Sequence, residues 1–279
     1  MTIKNTVEIN GIEFTYLEAG KGPLVVCVHG FPDTAVTWND TLEELSQIGY
    51  RVIAPFTRGY YPTGIPADQS YTPIDLGQDL LGFIDQFSDG PAIVIGHDWG
   101  AMAAYTAANI APEKISKMVT VAIPHPRSLR PSLSGMWAAR HFITFQFRGP
   151  TMRKFRRDNY AFVDEIYRRW SPTWDFPASE TAPMKEALTK PGVLEAILGY
   201  YWSFSKGFRD SDIQKFANGK TSVPTLTIIG DADGALNADT MAITPHAFTG
   251  PYRYEIIEGA GHFLHREQPE RFLSLVKEF

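Results

Sequence analysis

The sequence predicts an α/β fold: a mostly parallel sheet of eight strands, helices on both faces, and a helical segment inserted late in the chain. Three observations carry the prediction. Short apolar runs alternate with segments of helical spacing, the pattern of consecutive right-handed βαβ units. One of those runs ends in the sharp turn Gly96-His97-Asp98-Trp99-Gly100 and leads directly into the alanine-rich helix Ala101–Ala108. Strand signals then fade from about His125 to Lys215 and resume afterwards.

Taken in order, Thr6–Asn10 and Glu13–Glu18 alternate as strands around Asn10-Gly11, a strong hairpin signal. Leu24–Val28 is continuously apolar, as expected of a strand buried on both faces. Trp38–Ile48 has helical spacing and stops near Gly49. Arg51–Ala54 is a short strand with an irregular loop behind it. Ile74–Phe87 reads as an amphipathic helix with Leu76, Leu80, Phe83, Ile84 and Phe87 on one face. Ala92–Ile95 and Lys117–Ala122 are the next strands, Thr225–Gly230 and Tyr252–Ile257 the last two, and Pro269–Lys277 a closing helix. Residues 1–124 and 216–279 therefore form the core, and 125–215 a helical cap inserted in it. That segment holds 15 Lys and Arg against 9 Asp and Glu, a net +6, while the whole chain carries −5.

The 279 residues, 44% hydrophobic and 13% aromatic, suffice for one large core with an insertion. The acidic balance gives no case for nucleic acid as a partner. There is no run of about 18 apolar residues, so no membrane span is expected. Met1–Asn5 lacks the apolar stretch of a secretory leader, and the single Cys27 leaves no intramolecular disulfide to form. A cytoplasmic protein, monomer or homodimer, is the expectation. Cys27 reads as a small core residue.

The chemistry starts from the pentapeptide. Glycines two before and two after a central reactive residue are the mark of a nucleophile elbow, a strained turn that only small neighbours permit. The central residue is Asp98, whose carboxylate can attack a saturated carbon and form an alkyl ester. Releasing that ester requires a base to activate water. His262, in Gly259-Ala260-Gly261-His262-Phe263, follows the last strand and is preferred over His265, three residues on. The imidazole needs an orienting acid. Asp233 is preferred in Ile229-Gly230-Asp231-Ala232-Asp233, with Asp231 capping the loop or facing solvent. Backbone N–H groups of Phe31 and Trp99 are the candidate oxyanion hole. His29 and Pro32 are candidate substrate-side residues of the same loop, His29 chiefly as a pin between loops and Pro32 holding its shape without an N–H. His29, Asp98, Asp233 and His262 each follow a predicted strand, so all four fall on the carboxyl edge of the sheet, where ligands bind.

His29-Gly30-Phe31-Pro32, Gly96-His97-Asp98-Trp99-Gly100, Asp233 and Gly261-His262-Phe263, in that order over essentially the whole chain, resemble the epoxide hydrolases of the α/β-hydrolase fold. Haloalkane and fluoroacetate dehalogenases share that fold and its Asp nucleophile. Some relatives carry the acid after the strand that here ends at Ala122, but Ile123-Pro124-His125-Pro126 contains no carboxylate, which favours Asp233. The resemblance implies two cap tyrosines that donate to the epoxide oxygen. Tyr201 matches the second, with Tyr200 as its fallback, and the first position is occupied by His141. A His there also resembles the halide-binding His of fluoroacetate dehalogenases. The arginines that hold a carboxylate in those enzymes are replaced by Trp99 and Met102, and the Asn of the haloalkane dehalogenase halide site by Phe31. Where the family has an Asp two before Arg58 stands Phe56, so a changed loop is expected there.

The implied reaction opens a small, largely apolar epoxide to a vicinal diol, with water as co-substrate and no cofactor or metal. A dehalogenase is the alternative within enzymes, and a non-catalytic ligand-binding protein the alternative of another class. The cap aromatics Trp137, Phe142, Phe145, Phe147, Trp170 and Trp174 are expected to serve in packing, and Arg153, Arg156, Arg157, Arg168 and Arg169 to form a solvated face.

Overall fold

The computed structural model describes residues 2–128, 135, 137, 139–203, 210–236 and 245–279. The predicted cap includes stretches outside these. Strands β1 (Ile3–Ile9) and β2 (Ile12–Gly20) form the expected hairpin. Its two turn residues, Asn10 (φ 52°) and Gly11 (φ 74°), take the positive φ that matches strand twist. β3 (Leu24–Val28), β4 (Arg51–Pro55), β5 (Ala92–His97), β6 (Ile115–Val121), β7 (Thr225–Gly230) and β8 (Tyr252–Ile257) complete an eight-stranded sheet of order β1-β2-β4-β3-β5-β6-β7-β8. Only the pairings β1/β2 and β2/β4 are antiparallel.

Continuously apolar central strands split their side chains between two cores. Val26, Val28 and Val94 face one way and pack with α2 (Pro73–Phe87) and α3 (Trp99–Ile110). Val25, Cys27 and Ile95 face the other way, with Trp38, Leu42 and Leu45 around α1 (Asn39–Gln47) and Phe272 and Leu275 of the C-terminal helix Pro269–Glu278. α2 begins in a capping box: Thr72 Oγ1 accepts from Asp75 N, and Asp75 Oδ2 accepts from Thr72 N at 2.8 Å. Such a cap stabilises a helix by about 1 kcal/mol.

Among the described residues between 122 and 220 there is no strand. The helices there include α4 (Arg140–Thr144), α5 (Arg148–Arg156), α6 (Phe162–Trp170), α7 (Ala182–Leu188) and α8 (Val193–Ser203). They reach the carboxyl ends of the strands through aromatic contacts: Phe31 meets Phe145 at 5.6 Å and Tyr201 at 5.1 Å between ring centroids. Phe145 and Trp170 are buried, whereas Trp137 and Phe147 are exposed, so packing explains only part of the predicted aromatic set. α9 (Ser211–Phe216) lies against the sheet helices, where Asn109 of α3 donates to Phe216 O at 2.8 Å. No helix of the described residues is long and apolar enough to cross a membrane.

Candidate active site

The turn after β5 is as tight as its glycines suggest. Asp98 has φ 52° and ψ −117°, a strained conformation that costs about 1–3 kcal/mol in a non-glycine residue. A Cβ on Gly96 would sit 2.3 Å from Gly100 O, and one on Gly100 would sit 2.0 Å from Val28 O. The loop after β3 presses on the same residue, since a Cβ on Gly30 would be 2.5 Å from Asp98 Cβ. That closeness lets Phe31 N donate to Asp98 Oδ1 at 2.7 Å. The Phe31–Pro32 peptide is cis, and Pro32 is buried in the loop. The backbone N of Trp99 opens α3 immediately after Asp98, in the first turn where helix N–H groups lack intrahelical acceptors.

Asp98 Oδ2 faces His262 Nε2 at 3.6 Å, beyond hydrogen-bond range but with room for a small displacement. On its other side His262 Nδ1 meets Asp233 Oδ2 at 2.9 Å. Both side chains of that pair are fully buried. Asp233 Oδ1 accepts from Ala235 N (2.7 Å) and Leu236 N (3.1 Å), so its carboxylate is held at both oxygens. Asp231 caps the loop, accepting from Gly259 N at 2.7 Å. His265 lies behind the site, where its Nε2 pairs with Thr37 Oγ1 at 2.6 Å and its ring packs on Trp38. Burial alone would lower the His262 pKa, but the charges of Asp233 and then Asp98 outweigh it and raise the value to about 10. Burial would raise that of Asp98, yet His262, His97 and the Phe31 N–H leave it below the ordinary carboxylate value.

Tyr201 (α8) and His141 (α4) both lie in this aromatic enclosure. Their rings are 5.7 Å apart, and Tyr201 lies 5.1 Å from Phe31 and 5.4 Å from Trp99, the two residues that flank Asp98. The Tyr201 hydroxyl is buried without a hydrogen-bond partner of normal geometry. Burial and then the charge of Asp98 push its pKa well above the ordinary phenol value, so it remains a phenol. The His141 ring is 4.8 Å from that of Trp170, which is itself 4.8 Å from that of His262.

Two candidate substrate contacts are corrected. The Tyr200 ring also meets Trp99, at 5.6 Å, but its hydroxyl is spent: it donates to Arg58 O at 2.7 Å, and the ring stacks on Tyr71. His29 is fully buried with both ring nitrogens engaged, Nδ1 with Gly30 O (3.1 Å) and Nε2 accepting from Thr57 N (3.1 Å). It pins two loops together and has no free nitrogen for a ligand. The loop with Phe56 in place of Asp is anchored by Arg58, whose Nε and Nη2 grip Asp79 at 2.6 and 2.7 Å.

Sequence reasoning missed how α6 holds the site. Trp170 O accepts from both His262 N and Gly234 N, each at 3.0 Å. Ser171 Oγ accepts from Phe263 N (3.2 Å) and donates to Glu267 Oε1 (2.5 Å), and Glu267 Oε2 accepts from Gly261 N (2.7 Å). Arg266 adds a further tie, binding Asp33 of the Phe31 loop, Tyr167 of α6 and Glu180. Apart from Gly261 and Glu267, these partners lie tens of residues apart, and nothing in local spacing marks them.

The sequence pattern of the family described as alpha/beta hydrolase fold matches residues 23–269. An AB hydrolase superfamily protein of Bacillus subtilis, YfhM, is 32% identical over 98% of this chain and 96% of its own length. Epoxide hydrolase A of Mycobacterium tuberculosis is 27% identical over 98% of this chain and 95% of its own. Among solved structures, epoxide hydrolase VrEH1 of Vigna radiata superposes with a TM-score of 0.80 at 25% identity, covering 100% of this chain and 98% of that one.

Proposed function

The chain belongs to the α/β-hydrolase family, and on that footing we propose that it hydrolyses epoxides to vicinal diols through an ester on Asp98. The observation that carries this reading is the buried Tyr201 hydroxyl, packed among Trp99, Phe31 and His141, whose O–H has no protein acceptor in normal hydrogen-bond geometry. An opening epoxide develops an alkoxide, a poor leaving group unless a donor meets it. The epoxide hydrolases among the relatives support the same reaction.

Asp98 Oδ1 is held by Phe31 N, so Oδ2 is the oxygen that attacks. A C–O bond forms at one epoxide carbon as the ring C–O bond breaks, and the ring oxygen takes a proton from Tyr201, with His141 as its partner. Ester formation removes the charge of Asp98, one of the two carboxylates that keep the proton on His262. The imidazole thus turns into a base when there is an ester to cleave. Water deprotonated by His262 adds to the Asp98 carbonyl carbon. The oxyanion grows on Oδ1, where Phe31 N already donates and Trp99 N is adjacent; on collapse the His262 imidazolium protonates the departing alkoxide to release the diol, and the carboxyl proton left on Asp98 returns to the Tyr201 phenolate. The helices over the strand ends would act as the cap, the insertion expected at residues 125–215.

Isotope labelling tests the covalent route. In heavy-oxygen water, the first turnover should give unlabelled diol and leave the label in the Asp98 carboxylate, with labelled diol in later turnovers. Confirmed turnover with an unlabelled Asp98 peptide would refute it. Trp99 and His141 also suit a halide, so haloalkanes belong in the same panel; halide release without diol formation would select the dehalogenase reading.

A further inference from the structure

Arg169 does not join the solvated face predicted for it. Arg153, Arg156, Arg157 and Arg168 are exposed, but Arg169, in the last turn of α6, is partly buried. Its Nε and Nη2 are shut off from solvent and have no hydrogen-bond partner. No ion pair among the described residues includes it. A guanidinium in that position pays a desolvation cost that hydrogen-bonded, paired charges avoid.

The two orphaned nitrogens form one side of the guanidinium fork, whose parallel N–H bonds match the two oxygens of a carboxylate. The same chain shows that fork filled: Nε and Nη2 of Arg58 hold the two oxygens of Asp79. At Arg169 the equivalent fork is empty. Its place relative to the site follows from its neighbours. Its charge lies within electrostatic reach of Tyr201, and the next residue, Trp170, touches the rings of both His141 and His262. The residue before His141 is Arg140, a second cation close enough to oppose the charge of Arg169, while Glu165, one turn back on α6, attracts it more weakly without bonding to it. Arg140 spends one N–H on Trp137 O and stacks over the Trp137 ring.

We propose that Arg169 is a receptor for a carboxylate on the substrate, with Arg140 adding positive potential, so that the preferred substrates are epoxides bearing a carboxylate away from the reacting ring. This deepens the epoxide reading and rests on it for the reacting group alone. The carboxylate fork itself can be examined without turnover.

The first arm measures binding by calorimetry, using the full chain, octanoate and the isosteric octanamide. The second compares kcat/KM for an epoxy acid and its methyl ester. Both arms use the parent, Arg169→Met and Arg169→Lys. A bidentate charged hydrogen bond corresponds to a preference of about tenfold or more. The parent should therefore favour octanoate over octanamide, and acid over ester, by that factor. Arg169→Met should collapse both ratios towards one, and Arg169→Lys, which keeps the charge without the fork, should restore part of them. Equal binding of octanoate and octanamide by the parent overturns the proposal. So do ratios that Arg169→Met leaves unchanged in a variant whose melting curve shows it folded. If neither epoxide is turned over, the epoxide reading fails, and the octanoate comparison still decides the fork.

Discussion

Replacing Asp233 by Asn should separate the two halves of the reaction. In the parent, Asp233 Oδ2 accepts from His262 Nδ1 at 2.9 Å, while Oδ1 accepts from Ala235 N and Leu236 N. An Asn side chain keeps one oxygen, and the two backbone donors already claim it. Its NH2 then faces His262 Nδ1. A donor there forces Nδ1 to become the acceptor and puts the proton on Nε2, the nitrogen that faces Asp98. The fold and the nucleophile are spared, but the imidazole is the wrong tautomer to take a proton from water. Wrong-tautomer imidazoles lose about 10⁴ in kcat in hydrolytic triads, so ester hydrolysis should slow by about 10³–10⁴. Alkylation by Asp98 should slow far less, because His262 takes no proton in that step. Rapid quench followed by intact-protein mass measurement should show one substrate mass added per chain, persisting long after the parent has returned to its free mass. Turnover within tenfold of the parent would refute the assignment of Asp233 as the orienting acid. So would slow turnover without any adduct.

Acidity gives a second prediction. The His262 pKa is raised from 6.5 to about 10, so its contribution to stability is complete below pH 6.5 and is lost as pH rises through about 10. His29 is lowered to about 4, His97 and His125 to about 3, and His265 well below its usual value, all chiefly by burial. These four stay neutral when folded and take up protons on unfolding below pH 6.5, each steepening the loss of stability towards about 1.4 kcal/mol per pH unit. Urea unfolding should therefore show a maximum between pH 7 and about 8 with a steeper acid limb; a flat profile from pH 5 to 7 would contradict the neutral, buried histidines. A third prediction concerns Arg58→Met. It leaves Asp79, whose side chain is only 9% exposed, with the neutral Asn10 amide in place of its cation, and should cost about 3–5 kcal/mol in denaturant titration. A loss under 1 kcal/mol would show that Asp79 finds relief elsewhere.

What could be read from the sequence is what depends on neighbours along the chain. The elbow is local: Gly96, Asp98 and Gly100 occupy five residues, and the crowding around them is implied by their spacing. The parallel strands were legible because a strand buried on both faces must be apolar throughout, as Leu24–Val28 is. His262 and Asp233 were legible because each follows a strand by a few residues. The choice between Tyr200 and Tyr201 needed the partner of each hydroxyl, and the Arg58 carbonyl that takes the Tyr200 hydroxyl comes from a distant part of the chain. The open fork of Arg169 had no signal at all, since an arginine near a helix C-terminus looks the same in sequence whether its partner is water, a carboxylate or nothing.

Trp170 O accepts from His262 N and Gly234 N at once. One carbonyl at the end of α6 thereby fixes the spacing between the loop of the base and the loop of the orienting acid. If that end of the helices lifted, the imidazole would lose its anchor together with its alignment to Asp233. On the proposed mechanism, an opening that kept Trp170 and Ser171 in place would leave His262 and Asp233 assembled, with no base to rebuild in each cycle.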